Sequence, residues 1–313
     1  MSNKKNKQTT PKMEFNEELL EIEEDNTVAT VLGAVDDTMG EGEPVEDVVS
    51  LVGRVPRILF LDIETARMIC GIWRFGKQSV GTEQMIRDSF ILGWAAKWLG
   101  QDTVMSAFVN SAEAKRRDDR RIIDGIWTLL DLADIVVTHN GDDFDLPKLT
   151  TAFMKYGYDP TSSFVTIDTC KALRKVAGFS SNKLDFVSES LLGQHKMKTG
   201  YDLWISCENG DIVALAKMEQ YCQKDVTLLE GTYLKIRPYI KNHPNVGAYI
   251  NSSVPVCPSC GSTELEEEPN GVYMTQQNAY ETYRCINCGA IHRRRRTLIS
   301  PSAKVAMAVP LAH

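Results

Sequence analysis

Strand-length apolar runs and stretches with helical spacing alternate through the middle of the chain. Residues 57–65, 90–98 and 103–109 are apolar runs, and the turn Leu99-Gly100-Gln101-Asp102 separates the last two. Because neighbouring apolar runs joined by turn residues pair as strands, these three predict an antiparallel meander.

Helical spacing becomes prominent after residue 119. The predicted elements from there on are a helix at 120–132, a strand at 134–140, a helix at 146–156, a strand at 164–168, and helices at 184–192 and 212–239. The last helix is expected to be weakened at Gly231 and to end near Pro238. A meander followed by alternating helices and strands predicts an α/β fold, with a mixed five-stranded sheet flanked by helices.

The chain is expected to divide into four segments. Residues 1–53 are acidic and poor in aromatic side chains, so they predict a mostly disordered tail, with a short amphipathic helix near 15–22 as its one candidate element. Residues 54–243 carry the α/β pattern, and residues 252–298 form a small separate module. Residues 299–313 are a small apolar tail without clear periodicity.

The charge and the hydropathy of the chain limit the classes of protein to which it can belong. The formal charge of −7 originates in the first 50 residues, whose 13 acidic and 4 Lys side chains carry −9, so the remaining 263 residues carry about +2. The body of the chain is therefore not too acidic to bind nucleic acid. The longest apolar runs, such as 91–98, are too short to span a bilayer, and the polar start lacks the apolar core of a signal peptide. We expect a soluble cytoplasmic protein without a membrane partner.

Two carboxylates stand at the end of the first predicted strand. Side chains at i and i+2 of a strand point to the same face, so Asp62 and Glu64 lie side by side. Adjacent anions repel unless a cation neutralises them, and Mg²⁺ or Mn²⁺ takes hard oxygen ligands of this kind. The alternative is a strand end whose acids are solvated or cap a helix.

A second acidic group follows the predicted strand at 134–140. The segment His139-Asn-Gly-Asp-Asp-Phe-Asp145 leads from that strand into a helix, and such loops at the carboxyl edge of a sheet collect functional sites. Asp145 is expected to face the same edge as Asp62, with Phe144 anchoring the turn in the core. Asp145 is equally compatible with an N-cap of the helix that begins at Pro147.

A third acidic group lies within the last predicted helix. Tyr221 and Asp225 are four residues apart and therefore share one helix face, on an otherwise core-facing stripe. Burying a carboxylate there costs free energy unless it binds a metal or another partner. The alternative is a half-exposed Asp225 beside an ordinary core tyrosine.

Taken together, the three segments resemble the exonuclease motifs of the DEDDy group, in the DnaQ-like branch of the RNase H-like superfamily. The matching residues are Asp62-x-Glu64, Asn140-x-x-x-Phe144-Asp145 and Tyr221-x-x-x-Asp225, whereas Gln220 stands where the DEDDh group has histidine. The resemblance covers about residues 57–239. It extends to the proofreading domains of B-family DNA polymerases at 140–147, and to predicted bacterial and phage exonucleases at 94–100, 183–187 and 191–193. We expect no polymerase activity, because no polymerase-sized region follows.

The resemblance implies a two-metal hydrolysis of phosphodiester bonds, with two Mg²⁺ or Mn²⁺ ions as cofactors. It implies that Asp62 bridges both ions, that Glu64 and Asp225 complete the nucleophile-side site, and that Asp145 acts on the second ion through water. By the same resemblance, Tyr221 orients the attacking water.

Three further side chains have weaker implied roles. Asn140 is a candidate for contacting the metal-binding residues without binding the metal itself. Phe144 and Trp73 are candidates for packing near the terminal nucleotide, although ordinary core packing is the favoured interpretation of both.

Eight cysteines divide into two groups. Cys257-Pro-Ser-Cys260-Gly and Cys285-Ile-Asn-Cys288-Gly are two Cys-x-x-Cys knuckles, each followed by a glycine that permits a tight turn. This spacing predicts a zinc ribbon with one structural Zn²⁺, in preference to free thiols or a redox pair. The other four cysteines are predicted to be reduced and buried: Cys70, Cys170, Cys207 and Cys222.

A run of four cations follows the second knuckle. It consists of Arg293, Arg294, Arg295 and Arg296. Next to a nuclease-like domain, such a run predicts contact with phosphate groups, and the alternative is a solvated surface.

The whole sequence predicts a 3′–5′ exonuclease that acts on single-stranded 3′ ends, with DNA favoured over RNA, in replication, repair or proofreading. A DNA polymerase or another replication protein is a candidate partner, and the organisation suggests a bacterial or phage protein. Two alternatives stay open. One is a non-catalytic nucleic-acid-binding adaptor of the replisome, although the four intact carboxylates argue against it. The other is an RNase H-like endonuclease or RNA-trimming enzyme.

Overall fold

The computed structural model describes residues 53–308. The predicted acidic tail, apart from Gly53, and the candidate helix at 15–22 lie outside the described residues. The same holds for residues 309–313 of the predicted C-terminal tail. Within the described part, no helix is both long and apolar enough to cross a membrane.

Ten strands and nine α-helices make up the described part of the chain. The strands are β1 (Ile58–Thr65), β2 (Ile69–Cys70), β3 (Met85–Arg87), β4 (Ile91–Trp98), β5 (Met105–Phe108), β6 (Ile135–Thr138), β7 (Val165–Asp168), β8 (Leu265–Met274), β9 (Ala279–Cys285) and β10 (Ile291–Arg293). The α-helices are α1 (Ser111–Arg116), α2 (Arg120–Leu132), α3 (Asp145–Tyr156), α4 (Thr169–Val176), α5 (Leu184–Leu192), α6 (Tyr201–Glu208), α7 (Ile212–Ile236), α8 (Val246–Ile250) and α9 (Pro301–Ala306). Short 3-10 turns occupy Thr82–Gln84 and Arg237–Tyr239.

The central sheet has the strand order β5-β4-β1-β6-β7. β1 and β5 both pair antiparallel with β4, whereas β1–β6 and β6–β7 are parallel pairs. The predicted meander and the mixed five-stranded sheet flanked by helices are therefore confirmed. The sequence pattern did not predict the small β2–β3 hairpin inserted between the first two meander strands.

Alternation along β1 determines which side of the sheet carries the acidic residues. Leu59, Leu61 and Ile63 face a core shared with α2 and α3. Ile58 and Phe60 face the opposite core, which α7 covers. Since side chains two apart point the same way, Asp62 and Glu64 continue the row of Phe60 and face α7.

The long helix α7 runs without interruption through Gly231, where the sequence predicts a weakened helix. A Cβ atom there would lie 2.9 Å from Cδ1 of Leu192. Glycine therefore serves the close approach of α5 to α7, which a larger side chain would prevent. The helix ends at Ile236, and the 3-10 turn at Arg237–Tyr239 follows.

A second, three-stranded sheet with the order β10-β9-β8 lies near the C-terminus. Its strands are polar, and cross-strand contacts such as Arg284 Nε to Glu268 Oε1 (2.5 Å) and Tyr283 Oη to Glu267 Oε1 (3.1 Å) stabilise them. Apolar periodicity gives little signal for such strands.

The segment between the two sheets contacts α7 on one side and the first Cys-x-x-Cys knuckle on the other. Tyr233 of α7 hydrogen-bonds through its hydroxyl to Nε2 of His243 (2.8 Å). Val246, at the start of α8, is buried and donates its backbone N–H to the carbonyl oxygen of Pro258 (2.8 Å), next to Cys257. The connection is therefore ordered by contacts at both ends.

Candidate active site

Three of the predicted metal-binding carboxylates come together between β1 and α7. Oxygen atoms of Asp62, Glu64 and Asp225 all lie within 4.8 Å of one another. Asp62 and Glu64 are half-buried, and Asp225 is 1% exposed. We call these three residues the carboxylate cluster.

Asp145 lies beside the carboxylate cluster but is not part of it. It is buried at the first residue of α3, and its Oδ1 accepts a hydrogen bond from the backbone N–H of Ile63 in β1 (3.0 Å). The N-cap position of α3 is Phe144, so the interpretation of Asp145 as an N-cap is wrong. After burial, the charge of Asp145 is the largest influence that raises the pKa of Asp62, which shows that the two carboxyl groups interact.

A strained turn positions Asp145. Asn140 adopts a left-handed conformation (φ 70°), and its backbone N–H donates to Oδ1 of Asp168 (2.9 Å). At the next residue, Gly141, a Cβ atom would lie 2.4 Å from Cβ of Thr138, so only glycine fits. The observed role of Asn140 is thus to shape the backbone that leads into α3.

The two candidate aromatics are exposed. Phe144 is 41% exposed and Trp73 is 94% exposed. The favoured interpretation of both as core aromatics, including Phe144 as an anchor of its turn, is therefore wrong. Phe144 directly precedes Asp145 and presents its ring next to the site.

Lys196 is a site residue that the sequence analysis missed. Its Nζ lies 2.5 Å from Oδ2 of Asp225 and 4.9 Å from the ring centroid of Tyr221. The loop between α5 and α6 carries it, and its backbone N–H is fixed by Oδ1 of Asp185 (2.8 Å). A lysine in an irregular loop gives no periodic signal, so only the folded arrangement places it here.

Burial and mutual repulsion raise the pKa values of the carboxyl groups. Burial, and then the charge of Asp225, raises the pKa of Glu64 to about 7. Burial likewise raises the pKa of Asp145 to about 7, although the Ile63 N–H opposes the shift. Burial and the charges of the acidic neighbours raise the pKa of Asp62 well above its usual value. The positive charge of Lys196 partly offsets this repulsion. The site therefore has an excess of negative charge.

The donor set fits a hard divalent cation. Oδ1 of Asp225 is buried and has no hydrogen-bond partner within residues 53–308. An orphaned carboxylate oxygen in a group of three carboxylates is a suitable ligand for Mg²⁺ or Mn²⁺. These residues can therefore hold a cation that removes the repulsion.

Changing Glu64 to Gln should make metal-free protein more stable at neutral pH. Because the folded-state pKa is near 7 and the unfolded one near 4.5, the folded state keeps a proton that the unfolded state has lost. The wild type therefore loses stability relative to the variant as pH rises from about 4.5 to 7, by up to about 3 kcal/mol. Urea unfolding in EDTA at pH 5 and pH 8 measures this difference.

Asp102→Asn, in the exposed turn between β4 and β5, is the matched control and should show no such pH-dependent gain. Mn²⁺ at pH 8 should reverse the order of stabilities, because only the wild type retains all its ligands. A Glu64→Gln gain that is the same at both pH values would contradict the raised pKa.

The four late cysteines form a second cluster. Their sulfur atoms all lie within 4.8 Å of one another, and Cys257–Cys288 and Cys260–Cys285 are each separated by 3.6 Å. These distances are too long for disulfides. They are close to the roughly 3.8 Å edge of a tetrahedron with Zn–S bonds of about 2.3 Å. The cluster is compatible with a zinc-ribbon module.

The four arginines of the run differ in whether their charges are paired with acidic side chains. Arg294 forms ion pairs with Glu281 (3.2 Å) and Glu267 (3.8 Å), and Arg293 lies over the ring of Tyr280 (4.1 Å). Arg295 and Arg296 are exposed and form no ion pair within the described part of the chain.

The other four cysteines are free thiols, and three of them are buried as predicted. Cys70 is only partly buried, so the prediction is wrong for this residue. It lies on the short strand β2, outside both cores. Cys222 also contacts the site, because its Sγ lies 3.4 Å from Oδ2 of Asp62.

Comparisons with known proteins agree with this fold. A family model of the RNase_H superfamily matches residues 59–235, more than half of the chain. No curated protein matches. Among solved structures, the family B DNA polymerase from the hyperthermophilic archaeon Pyrobaculum calidifontis is similar, with 17% identity and a TM-score of 0.45. The match covers 58% of this chain and 25% of the polymerase, so it spans about a quarter of that protein.

Proposed function

The chain belongs to the RNase H superfamily, and on that premise we propose that it is a 3′–5′ exonuclease that uses two divalent cations. Membership of this superfamily supports a nuclease. The observation that carries the finer proposal is the carboxylate cluster with Asp145 beside it, since these residues occupy all the acidic motif positions. Single-stranded DNA is the favoured substrate.

Asp62, Glu64 and Asp225, with Asp145, would hold the cations. When bound, these cations supply Lewis-acid polarisation of the phosphate and a water of lowered pKa. The protein contributes a fixed set of oxygen ligands, because β1 and α7 are rigid elements that pack directly on each other.

Tyr221 is suited to orient the attacking water. It lies on the same face of α7 as Asp225, and Nζ of Lys196 lies 4.9 Å from its ring centroid. Burial, and then the charge of Asp225, raises the pKa of Tyr221 to about 12, so the hydroxyl keeps its proton at neutral pH. The neighbouring Gln220 is exposed and faces away, which supports the tyrosine-type subgroup over the histidine-type one.

Lys196 is suited to stabilise negative charge in the same site. Although burial opposes it, the charge of Asp225 and a hydrogen bond to that residue raise the pKa of Lys196, so the ammonium group stays charged. A fixed cation next to the carboxylates can contact a phosphate oxygen of the substrate.

The C-terminal module is proposed to be a zinc ribbon that helps to bind the strand. The tetrahedral sulfur spacing supports one structural Zn²⁺. Arg295 and Arg296 supply exposed cations for phosphate contact, whereas Arg294 is partly neutralised by Glu281. A DNA polymerase or another replication protein is the candidate protein partner that the sequence resemblance implies.

The deciding experiment is degradation of a 5′-labelled single-stranded oligonucleotide, as DNA and as RNA, with Mg²⁺ or Mn²⁺. We expect a ladder that shortens from the 3′ end, is absent in EDTA and is absent in Asp62→Ala. Asp102→Asn should retain wild-type cleavage. Cleavage of circular single strands would favour an endonuclease, and the absence of cleavage with any cation would favour a binding adaptor.

A further inference from the structure

We propose that a groove next to the carboxylate cluster binds the phosphate backbone of the substrate strand on the 5′ side of the scissile bond. This inference rests on the proposed exonuclease function and adds a strand-binding subsite to it. Four cations define the groove: Arg87, Arg117, Lys148 and Lys155. We call it the cationic groove.

The cationic groove is linked to the proposed catalytic residues through Phe144, which precedes Asp145 in the chain. Its cavity of about 460 Å³ lies between β3, the α1–α2 turn and α3. None of the four metal-binding carboxylates lines it, but Phe144, the neighbour of Asp145, does. A strand that leaves the carboxylate cluster past Phe144 would enter the groove directly.

One wall of the groove is a single face of α3. Phe144, Lys148, Thr151 and Lys155 follow one another at helical spacing and all line the cavity. With a rise of about 1.5 Å per residue, Phe144 and Lys155 are about 16 Å apart along the helix axis. This length accommodates several nucleotides stacked at about 3.4 Å. A 3′ exonuclease needs room for only one nucleotide on the leaving side, so a long groove suits the 5′ side.

The cations of the groove are available for an anionic ligand. None of the four forms an ion pair within residues 53–308. Lys148 donates to the hydroxyl of Ser89 (2.7 Å), and Arg117 donates to the carbonyl oxygens of Arg67 (3.2 Å) and Asp88. These are neutral acceptors, so the positive charges are not cancelled.

The acidic residues of the groove are fewer than its cations, and one of them is neutralised by a neighbouring lysine. Asp119 is buried and accepts hydrogen bonds from the backbone of Ile91 (2.8 Å) and from the hydroxyl of Tyr156. Asp143 pairs with Lys171 (2.7 Å), and Asp88 accepts from the backbone N–H of Ser89 (2.7 Å). With Asp143 paired, four cations face the two unpaired carboxylates of Asp88 and Asp119, so the lining carries a net charge of about +2.

The position of Phe144 suits a nucleobase. Its ring is 41% exposed at the end of the groove nearest Asp145. Aromatic rings stack on bases of any sequence, while cations bind the phosphates between them. An aromatic ring at the entrance and cations beyond it match a strand that is bound without regard to its sequence.

The test compares two double variants. Arg87→Gln with Lys148→Gln removes one cation from each wall of the groove, and Lys217→Gln with Lys235→Gln removes two exposed cations of α7 as the matched control. Binding of a fluorescein-labelled single-stranded oligonucleotide is measured by anisotropy in EDTA, so that no cleavage occurs, across a series of salt concentrations. Thermal melting of each variant checks the fold.

We expect the groove variant to raise Kd by about tenfold or more, since charge-assisted hydrogen bonds are lost. The slope of log K against log salt should become shallower by about 0.7 for each phosphate contact removed. DNA and RNA strands should be affected alike, because the groove contacts phosphates. The control variant should bind as the wild type does.

Equal Kd and slope in the groove and control variants would overturn the proposal, as would a wild type that binds no strand. The outcome is separate from that of the exonuclease test. Groove-dependent binding without cleavage in Mg²⁺ or Mn²⁺ would reject only the exonuclease. Cleavage by all variants with unchanged binding would reject only the groove.

Discussion

Replacing Asp225 by alanine is expected to abolish cleavage, lowering kcat by about a thousandfold or more. Asp225 supplies the buried oxygen that has no other partner, and its other oxygen contacts Lys196. Without it, the carboxylate cluster loses its only member from α7. Single-turnover degradation of a labelled oligonucleotide, in Mg²⁺ and in Mn²⁺, measures the loss.

The fold should survive this change, because both cores are built from apolar side chains other than Asp225. Burial raises the pKa of Asp225, so the ionised form is disfavoured in the folded protein. The alanine variant leaves Lys196 without its partner, and Asp225→Asn, which keeps a carbonyl oxygen, serves as a second variant. Asp202→Ala on α6 is a control at an exposed acidic position. Cleavage by both Asp225 variants at the wild-type rate, with unchanged circular dichroism, would reject the assignment.

Replacing Cys285 by serine is expected to release zinc and unfold the three-stranded sheet. Structural zinc contributes on the order of 10 kcal/mol to the folding of such modules. The strand β8 is mostly exposed and β9 is mostly half-buried, and both are rich in polar side chains, so they have little apolar burial to replace that contribution. Zinc content by mass spectrometry and hydrogen exchange in β9 report the two effects.

Cys70→Ser provides the matched control, since this thiol lies outside the sulfur cluster. It should leave both zinc content and exchange rates unchanged. A wild-type protein purified without zinc, or a Cys285→Ser variant with protected amides in β9, would show that the module folds by other means.

The elements with strong periodicity were predictable from the sequence. Alternation along β1 placed Asp62 and Glu64 on one face, and the spacing of four residues placed Tyr221 and Asp225 on one face of α7. Both arguments use only local geometry. They do not depend on how distant segments meet.

Features that depend on long-range contacts were not predictable in this way. Lys196 reaches Asp225 from an irregular loop, and Asp145 bonds to the backbone of β1 instead of capping its own helix. Phe144 and Trp73 looked like core residues because aromatic side chains are often buried, but the fold leaves Phe144 41% and Trp73 94% exposed. Burial is a property of the packed chain, which periodicity alone does not determine.

The ordered connection between the two sheets has a consequence for multivalent binding. A flexible tether lets two binding surfaces adapt to many ligands, with a gain set by the effective concentration that its length allows. Here the hydrogen bonds from Tyr233 to His243 and from Val246 to Pro258 replace such a tether with a fixed joint. If the proposed groove and the proposed zinc ribbon bind the same strand, such a joint fixes the distance that the strand must span, so a strand too short to reach both surfaces would lose the gain from double binding.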